Sequence, residues 1–265
     1  MKYIVSLKIF SLLSITFCYP QVRAKIPVVF HVIYSTEEQN KEVSDSLILC
    51  ELKDLQMDFL SLNADTQNVP AEFKKDFGLP QIEFRIATVD PNGNPTSGIV
   101  RVKTVKKNFT FSDQIFYADA LWDTKKYLNV YIGLIRNGKT EGYTDNPEPW
   151  NTPLKDAIGL SYNAGIGKHS RLLTHETGHW LGLLHIFNKN LFGKCLDDGI
   201  PDTPLQGRAT GTNNCPTHPA SQCNHATMFM NFMDYSKCRV MFTKEQVKKM
   251  HDVLDKDRKE FLTLQ

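Results

Sequence analysis

Up to about residue 186 the chain alternates between short β-rich runs and helical stripes, and beyond that point the periodicity fades. Ile26 to Tyr34, I-P-V-V-F-H-V-I-Y, is β-branched and aromatic and predicts a strand. His31 lies inside it and reads as a packed structural histidine rather than a ligand. Ser44 or Asp45 caps a helix running to about Asn63, with Ile48, Leu52, Leu55, Phe59 and Leu62 as its core-facing stripe and Cys50 roughly opposite. Gln81 to Val89 alternates as a strand, Asp90 to Pro95 (D-P-N-G-N-P) is turn chemistry, and Ile99 to Val105 is again β-rich. Leu128 to Ile135, L-N-V-Y-I-G-L-I, is predominantly apolar and predicts a central strand. A loop from Arg136 to Asp145 follows, then a proline- and asparagine-rich surface loop to Pro153, a short strand from Ala157 to Asn163, and a helix beginning near Ser170. Phe187 to Cys238 is irregular. The final segment, Thr243 to Phe261, predicts a helix carrying Val247, Met250, Leu254 and Phe261 inward.

The N-terminus changes the compartment. Lys2 and Lys8, the apolar run Ile9 to Phe17, and small residues at Val22 and Ala24 form an export leader, residues 1–24, with the mature chain at 25–265. That run is too short to anchor in a bilayer, and bulky Phe17 argues against lipid attachment at Cys18. Cleavage after Ala24 removes three positive charges (Lys2, Lys8, Arg23) and no negative one, taking the formal charge from +2 to −1. A near-neutral chain has no electrostatic footprint for nucleic acid or an acidic membrane. Export also makes disulfides the expected use of Cys195, Cys215, Cys223 and Cys238, which staple the irregular stretch; spacing alone leaves three pairings open. Asn108-Phe109-Thr110 is a glycosylation sequon, meaningful only in a glycosylating source. Asp197, Asp198, Asp202 and Thr203 offer hard oxygens that suit calcium, and a solvated acidic turn fits them equally well.

The chemistry concentrates in H-E-T-G-H-W-L-G-L-L-H, His175 to His185. A four-residue step returns to one helix face, so His175 and His179 aim two imidazoles at one point, with Glu176 offset beside it. Gly182 permits a sharp turn that brings in His185 as a third ligand. Three neutral imidazoles and an open fourth position describe a catalytic zinc, with Glu176 as base for a zinc-bound water that attacks a peptide carbonyl. An amphipathic core helix with satisfied histidines is the bland alternative, and the added Gly and third His make it improbable. No nucleophile signature accompanies Ser161, Ser170, His218, His225 or His251.

At these residues the chain resembles the metzincin metallopeptidases. Met233, in N-F-M-D-Y-S, matches their methionine turn, and Tyr235 looks like the tyrosine of the pappalysin family, thought to steady the reaction's oxyanion. The segment Cys195 to Gln206 is also similar to a pappalysin stretch. The resemblance implies an α+β two-lobed zincin. Its upper lobe, about 25–182, would hold a twisted, mostly parallel sheet with one antiparallel edge strand and helices above the cleft. The lower lobe, about 183–265, would be irregular and disulfide-stapled, ending in a C-terminal helix. It further implies disulfides Cys195–Cys223 and Cys215–Cys238, leaving Cys50 unpaired, and structural calcium at Asp198, Asp202 and Thr203. A cleft rim near Glu141 to Thr144 would pair antiparallel with peptide substrate. The expected protein is a secreted monomeric zinc endopeptidase acting on proteins or peptides, without a transmembrane segment, nucleic-acid partner or inhibitory pro-segment. Alternatives are a silent extracellular binding module on the same fold, or a metzincin of another family.

One departure bears on specificity. Ulilysin-like pappalysins favour a basic residue just after the scissile bond, through an acidic residue between the methionine turn and the next cysteine. Here M-D-Y-S-K-C is short, and Lys237 is its charged residue after Tyr235. Read as the pocket residue, Lys237 predicts an acidic or apolar preference.

Overall fold

A computed structural model of the protein describes residues 21–109, 121–144, 156–211 and 215–263. The leader run, Cys18, the loop to Pro153 and Thr110 of the sequon lie outside the described residues. Six strands form the main sheet: β1 (Ala24–Tyr34), β2 (Ile82–Ile86), β3 (Ile99–Lys103), β4 (Leu128–Gly133), β5 (Gly142–Thr144) and β6 (Ala157–Ser161). Their order is β2-β1-β4-β6-β5, with β3 also on β1. The long β1 takes β2 along its first half, Ala24↔Ile82 to Val28↔Ile86, and β3 along its second, Phe30↔Ile99 to Tyr34↔Lys103. Every pairing is parallel except that of β5, which runs antiparallel on β6 at the sheet edge. Strands β4 and β6 are buried throughout, as continuous apolar strands covered on both faces must be.

On one face lies α2 (Asp45–Phe59), which follows a short α1 (Glu37–Glu42). Ile48, Leu52, Leu55 and Phe59 are buried, and Phe59 meets Phe84 of the sheet and Phe242 of the C-terminal part at ring distances of 4.9 and 5.1 Å. Burying a ring of this kind is worth about 1.5–3 kcal/mol. Leu62 is not part of the stripe. The helix stops at Phe59, Ser61 adopts a positive φ, and Leu62 turns outward to 48% exposure. On the opposite face His31 is fully buried, stacked on Tyr131 with its Nε2 3.0 Å from Asn129 Oδ1. Burial lowers its pKa to about 4, so it serves as a neutral packing group.

The third helix, α3 (Leu172–Trp180), carries the histidine motif. Its N-terminus has no side-chain cap of its own, because Arg171 precedes it in the left-handed region. Instead α2 reaches across: Glu51 accepts hydrogen bonds from Leu173 N and Gly167 N, and Asp58 accepts one from Thr174 Oγ1. Arg171 then pairs with Asp58 and Asp65 at 3.1 and 3.2 Å. These buried acids set the depth and direction of α3. The last helix, α4 (Lys244–Asp257), opens with a complete capping box from Thr243 and Gln246. A short 3-10 turn from Lys259 to Phe261 continues toward the end of the described chain. This part ties back to the sheet as well as to the lower region: Arg258 pairs with Asp156 and lies 3.6 Å over the Trp180 ring, and Ala24 bridges Leu262. One continuous hydrophobic cluster runs from β1 through α3 to α4, so both lobes share a core.

The boundary expected at Ala24 falls at the start of an ordered strand. Ala24 is the first residue of β1 and is fully buried. Arg23 N donates to Gln81 O, Thr263 N donates to Arg23 O, and Thr263 Oγ1 donates to Val22 O. The Arg23 guanidinium also grips both oxygens of Asp255 at 2.5 and 2.6 Å. Val22 and Arg23 are thus bonded to the segments around Gln81 and Thr263.

Candidate metal centre and active site

The turn after α3 builds the third ligand position. Leu183 N donates to Gly178 O and Gly182 N to His179 O, with Gly182 at φ +90°; this is a Schellman ending, which requires the left-handed residue that glycine supplies. His179 Nδ1 then reaches Leu183 O at 2.8 Å, and His175 Nδ1 reaches Phe232 O at 2.7 Å. Each of these imidazoles spends one nitrogen on a carbonyl, which leaves the Nε2 lone pair facing inward.

The three Nε2 atoms converge. His175 to His179 is 3.2 Å, His175 to His185 is 3.2 Å, and His179 to His185 is 3.0 Å. A tetrahedral zinc with bonds of about 2.0–2.1 Å spaces its ligands about 3.3 Å apart, so the set fits that ion. Burial lowers the pKa of all three, with His185 brought to about 3, so they face one another neutral and ready to ligate.

Glu176 lines the cleft beside His175 and Tyr235. It is 5% exposed, and Thr144 Oγ1 of β5 donates to its Oε2 at 3.0 Å. Burial pushes its pKa up to about 8. Gly142 matters here: a Cβ at that position would stand 2.8 Å from Glu176 Oε1. Met233 lies beneath the centre on the turn Asn231–Tyr235, where Asn231 Oδ1 accepts from Met233 N at 2.9 Å. Its sulfur would be only 2.5 Å from a Cβ on residue 178, which explains the glycine there. Tyr235 brings its hydroxyl to 3.0 Å from His185 Nε2, and Phe187 stacks on the His185 ring. Asp234 turns away from the cleft and binds Gln206, Thr210 and the Tyr235 amide, pinning the loop after Cys195 onto the methionine turn.

A cleft of about 330 Å³ opens beside this centre, lined by Lys139 to Gly142, Leu172, His175, Glu176, Tyr235 and Arg239. Lys237, the expected pocket residue, does not line it; it is exposed, because the chain turns over between Ser236 and Cys238. Arg239 lines it instead. Sequence reasoning passed over Arg239 and Gly178 and placed Thr144 only on the cleft rim, since no spacing rule separates them from ordinary surface or helix residues. A larger hollow of about 520 Å³ lies away from the histidines, between Arg23, His251 and Lys259, and includes Gln21 at the limit of the described chain.

The structure pairs Cys195 with Cys223 and Cys215 with Cys238 and leaves Cys50 free. Cys50, Asp54 and His169 approach one another, but Asp54 is already engaged by His169 at 2.7 Å and Arg171 at 3.7 Å. Asp198 Oδ1 accepts from Thr203 Oγ1 at 2.7 Å and from Ile200 N, while Asp202 Oδ2 accepts from Glu245 N.

Three comparisons agree with this geometry. The family model described as pregnancy-associated plasma protein-A, a peptidase family, matches residues 110–255. An extracellular metalloprotease of Arthroderma gypseum is 38% identical over 143 residues, 46% of each chain, and one of Colletotrichum graminicola is 36% identical over 246 residues, 88% of this chain and 77% of that one. The chain thus spans from about half to three quarters of the length of these relatives. Mature mirolysin of Tannerella forsythia, solved in complex with a cleaved peptide, superposes with a TM-score of 0.81 at 35% identity, covering 91% of this chain and 96% of that one. The chain belongs to the pappalysin family and is a metalloprotease of the metzincin fold.

Proposed function

We propose that the protein is an exported zinc endopeptidase in which Glu176 moves the proton and Tyr235 steadies the carbonyl oxygen. The observation that carries it is the convergence of three Nε2 atoms within 3.2 Å, flanked by a buried carboxylate and a phenol. Bound zinc would supply Lewis acidity and lower the pKa of water. The chain's own residues do the rest. Glu176, held by Thr144, accepts a proton from the attacking water and returns it to the leaving amine. Tyr235 donates its O–H toward the oxygen on which charge develops. Strand β5, antiparallel at the sheet edge, offers its backbone to an extended peptide by strand addition. That mirolysin was solved with a cleaved peptide supports this use of the cleft. The leader pattern and the relatives named extracellular support export, and no helix among the described residues is long and apolar enough to cross a membrane.

Tyr235→Phe tests the division of labour. Loss of one donor to a developing oxyanion costs about 10²–10³ in kcat, with KM little changed and zinc retained. Steady-state kinetics on an unfolded protein or quenched peptide, with metal analysis alongside, read the result; an unaltered kcat would remove Tyr235 from the mechanism.

Calcium at Asp198, Asp202 and Thr203 belongs to the same reading. Asp198 Oδ2 and Asp202 Oδ1 are buried without a hydrogen-bond partner, and burial raises the Asp198 pKa. Buried, unpaired carboxylate oxygens are costly unless a cation meets them. A calcium-selective chelator is expected to lower the melting temperature by about 6–12 °C, the equivalent of roughly 3 kcal/mol of lost binding. Identical melting curves with and without free calcium would refute the site.

A further inference from the structure

We infer that Arg239 selects substrates bearing aspartate or glutamate immediately after the scissile bond. This rests on the peptidase reading above. Direction comes from β5: a peptide antiparallel to that strand places its C-terminal side against the start of β5. The cleft is lined by Lys139, Thr140, Glu141 and Gly142, the residues that lead into the strand. The side chain that enters is therefore the one following the bond being cut.

Arg239 forms a wall of that cleft and is fixed there by two carbonyls. Its Nη1 donates to Asp234 O at 3.3 Å and its Nη2 to Ser170 O. A guanidinium carries five N–H groups, and Nε is buried with no partner. Among the described residues no carboxylate is in salt-bridge contact with Arg239. The nearest candidates are otherwise placed: Asp234 is consumed by Gln206 and Thr210, Glu176 is held by Thr144, and Glu141 sits exposed on the rim. Burial depresses the Arg239 pKa, and the charges of Asp234, Glu141 and Glu176 oppose that shift through space. Lys139 adds a second positive charge to the lining, Glu141 on the rim and Glu176 at the catalytic end carry the negative ones, and Leu172 supplies an apolar patch. A carboxylate on a short side chain answers this arrangement, since planar bidentate pairing is what a guanidinium does best. A lysine or arginine in the same place would bury like charge against Arg239.

The test uses the zinc-loaded protein and three quenched peptides that differ only after the scissile bond, carrying Asp, Leu or Lys. Expected kcat/KM favours Asp over Lys by at least about tenfold, the effect of one charge-assisted hydrogen bond. Arg239→Met should collapse the ratio, and Arg239→Glu should invert it. Equal loss on all three peptides in Arg239→Met, with the ratio intact, would overturn the inference by making Arg239 a general electrostatic aid. Equilibrium binding of the same peptides to Glu176→Ala gives a second readout that needs no turnover. Tighter binding of the Asp peptide supports the proposal even where no peptide is cut, which would instead count against the peptidase reading. Equal binding of Asp and Lys peptides overturns it.

Discussion

Glu176→Ala is expected to keep zinc and to lose about 10³–10⁴ in kcat/KM, the upper range for removing a positioned general base. The side chain is not a ligand. Three Nε2 atoms already converge within 3.2 Å of one another, while the Glu176 carboxylate turns to Thr144 on β5. Its removal should therefore leave the metal stoichiometry unchanged. The pH dependence has a definite sign. Burial raises the Glu176 pKa to about 8 in the metal-free protein, and a dication beside it would pull that value down. Because only the ionised carboxylate accepts a proton, kcat/KM should climb with pH through an acid limb centred below about 8. Plasma emission analysis of metal content and initial rates from pH 5 to 9 (roughly the range in which such a base titrates) check both parts. Hydrolysis near the wild-type rate in Glu176→Ala would end the general-base role, and loss of zinc along with activity would make Glu176 part of the metal shell.

How much of this could be read from the chain depended on how local each feature is. The zinc-binding segment was legible because its chemistry is set by helix periodicity: His175, Glu176 and His179 are one turn of α3, and Gly182 closes that turn. Strand positions were legible too, within a few residues. Strand order was not, since parallel pairings such as Val28↔Leu128 connect residues a hundred positions apart. The capping of α3 by Glu51, and the burial of Asp58 with Arg171, depend on α2 crossing at a particular angle, and no periodicity encodes that. Leu62 obeyed the helical spacing and was still lost from the core, because the helix ended three residues earlier. Which cation lines the cleft was not legible for a similar reason. Lys237 and Arg239 are both cations near Cys238, and only the turn at Ser236 decides which of them faces the cleft. The leader pattern marks small residues at Val22 and Ala24, a local signal, whereas the hydrogen bonds of Val22 and Arg23 reach Gln81 and Thr263, which no local pattern encodes.

Chelation should abolish turnover, and added zinc should restore it in the wild type but not in His179→Ala. With zinc at about a thousand times its dissociation constant, binding adds roughly 4 kcal/mol to stability, or about 8–16 °C in melting temperature for a chain of this size. The buried histidines make the proton competition unusual. An exposed histidine site weakens as pH falls through about 6.5, because each ligand must shed a proton to bind. Here burial lowers the pKa of His175 and His179, and that of His185 falls to about 3. The ligands are therefore already neutral at mildly acidic pH, and zinc affinity should stay nearly flat from about pH 7.5 to 5.5. The metal-free protein pays instead. Its unfolded chain takes up protons near pH 6.5 while the folded histidines, His31 included at about 4, do not. Proton uptake by these histidines favours the unfolded state, so their contribution to metal-free stability should decline as pH drops below about 6.5, opposed by the buried Glu176 and Asp58, whose raised pKa values act the other way. Competition titrations against a coloured zinc chelator, paired with melting curves of the stripped protein, separate the two effects. Affinity that falls steeply from pH 6.5 would mean that the three imidazoles are solvated, and the buried, preformed centre would have to be abandoned.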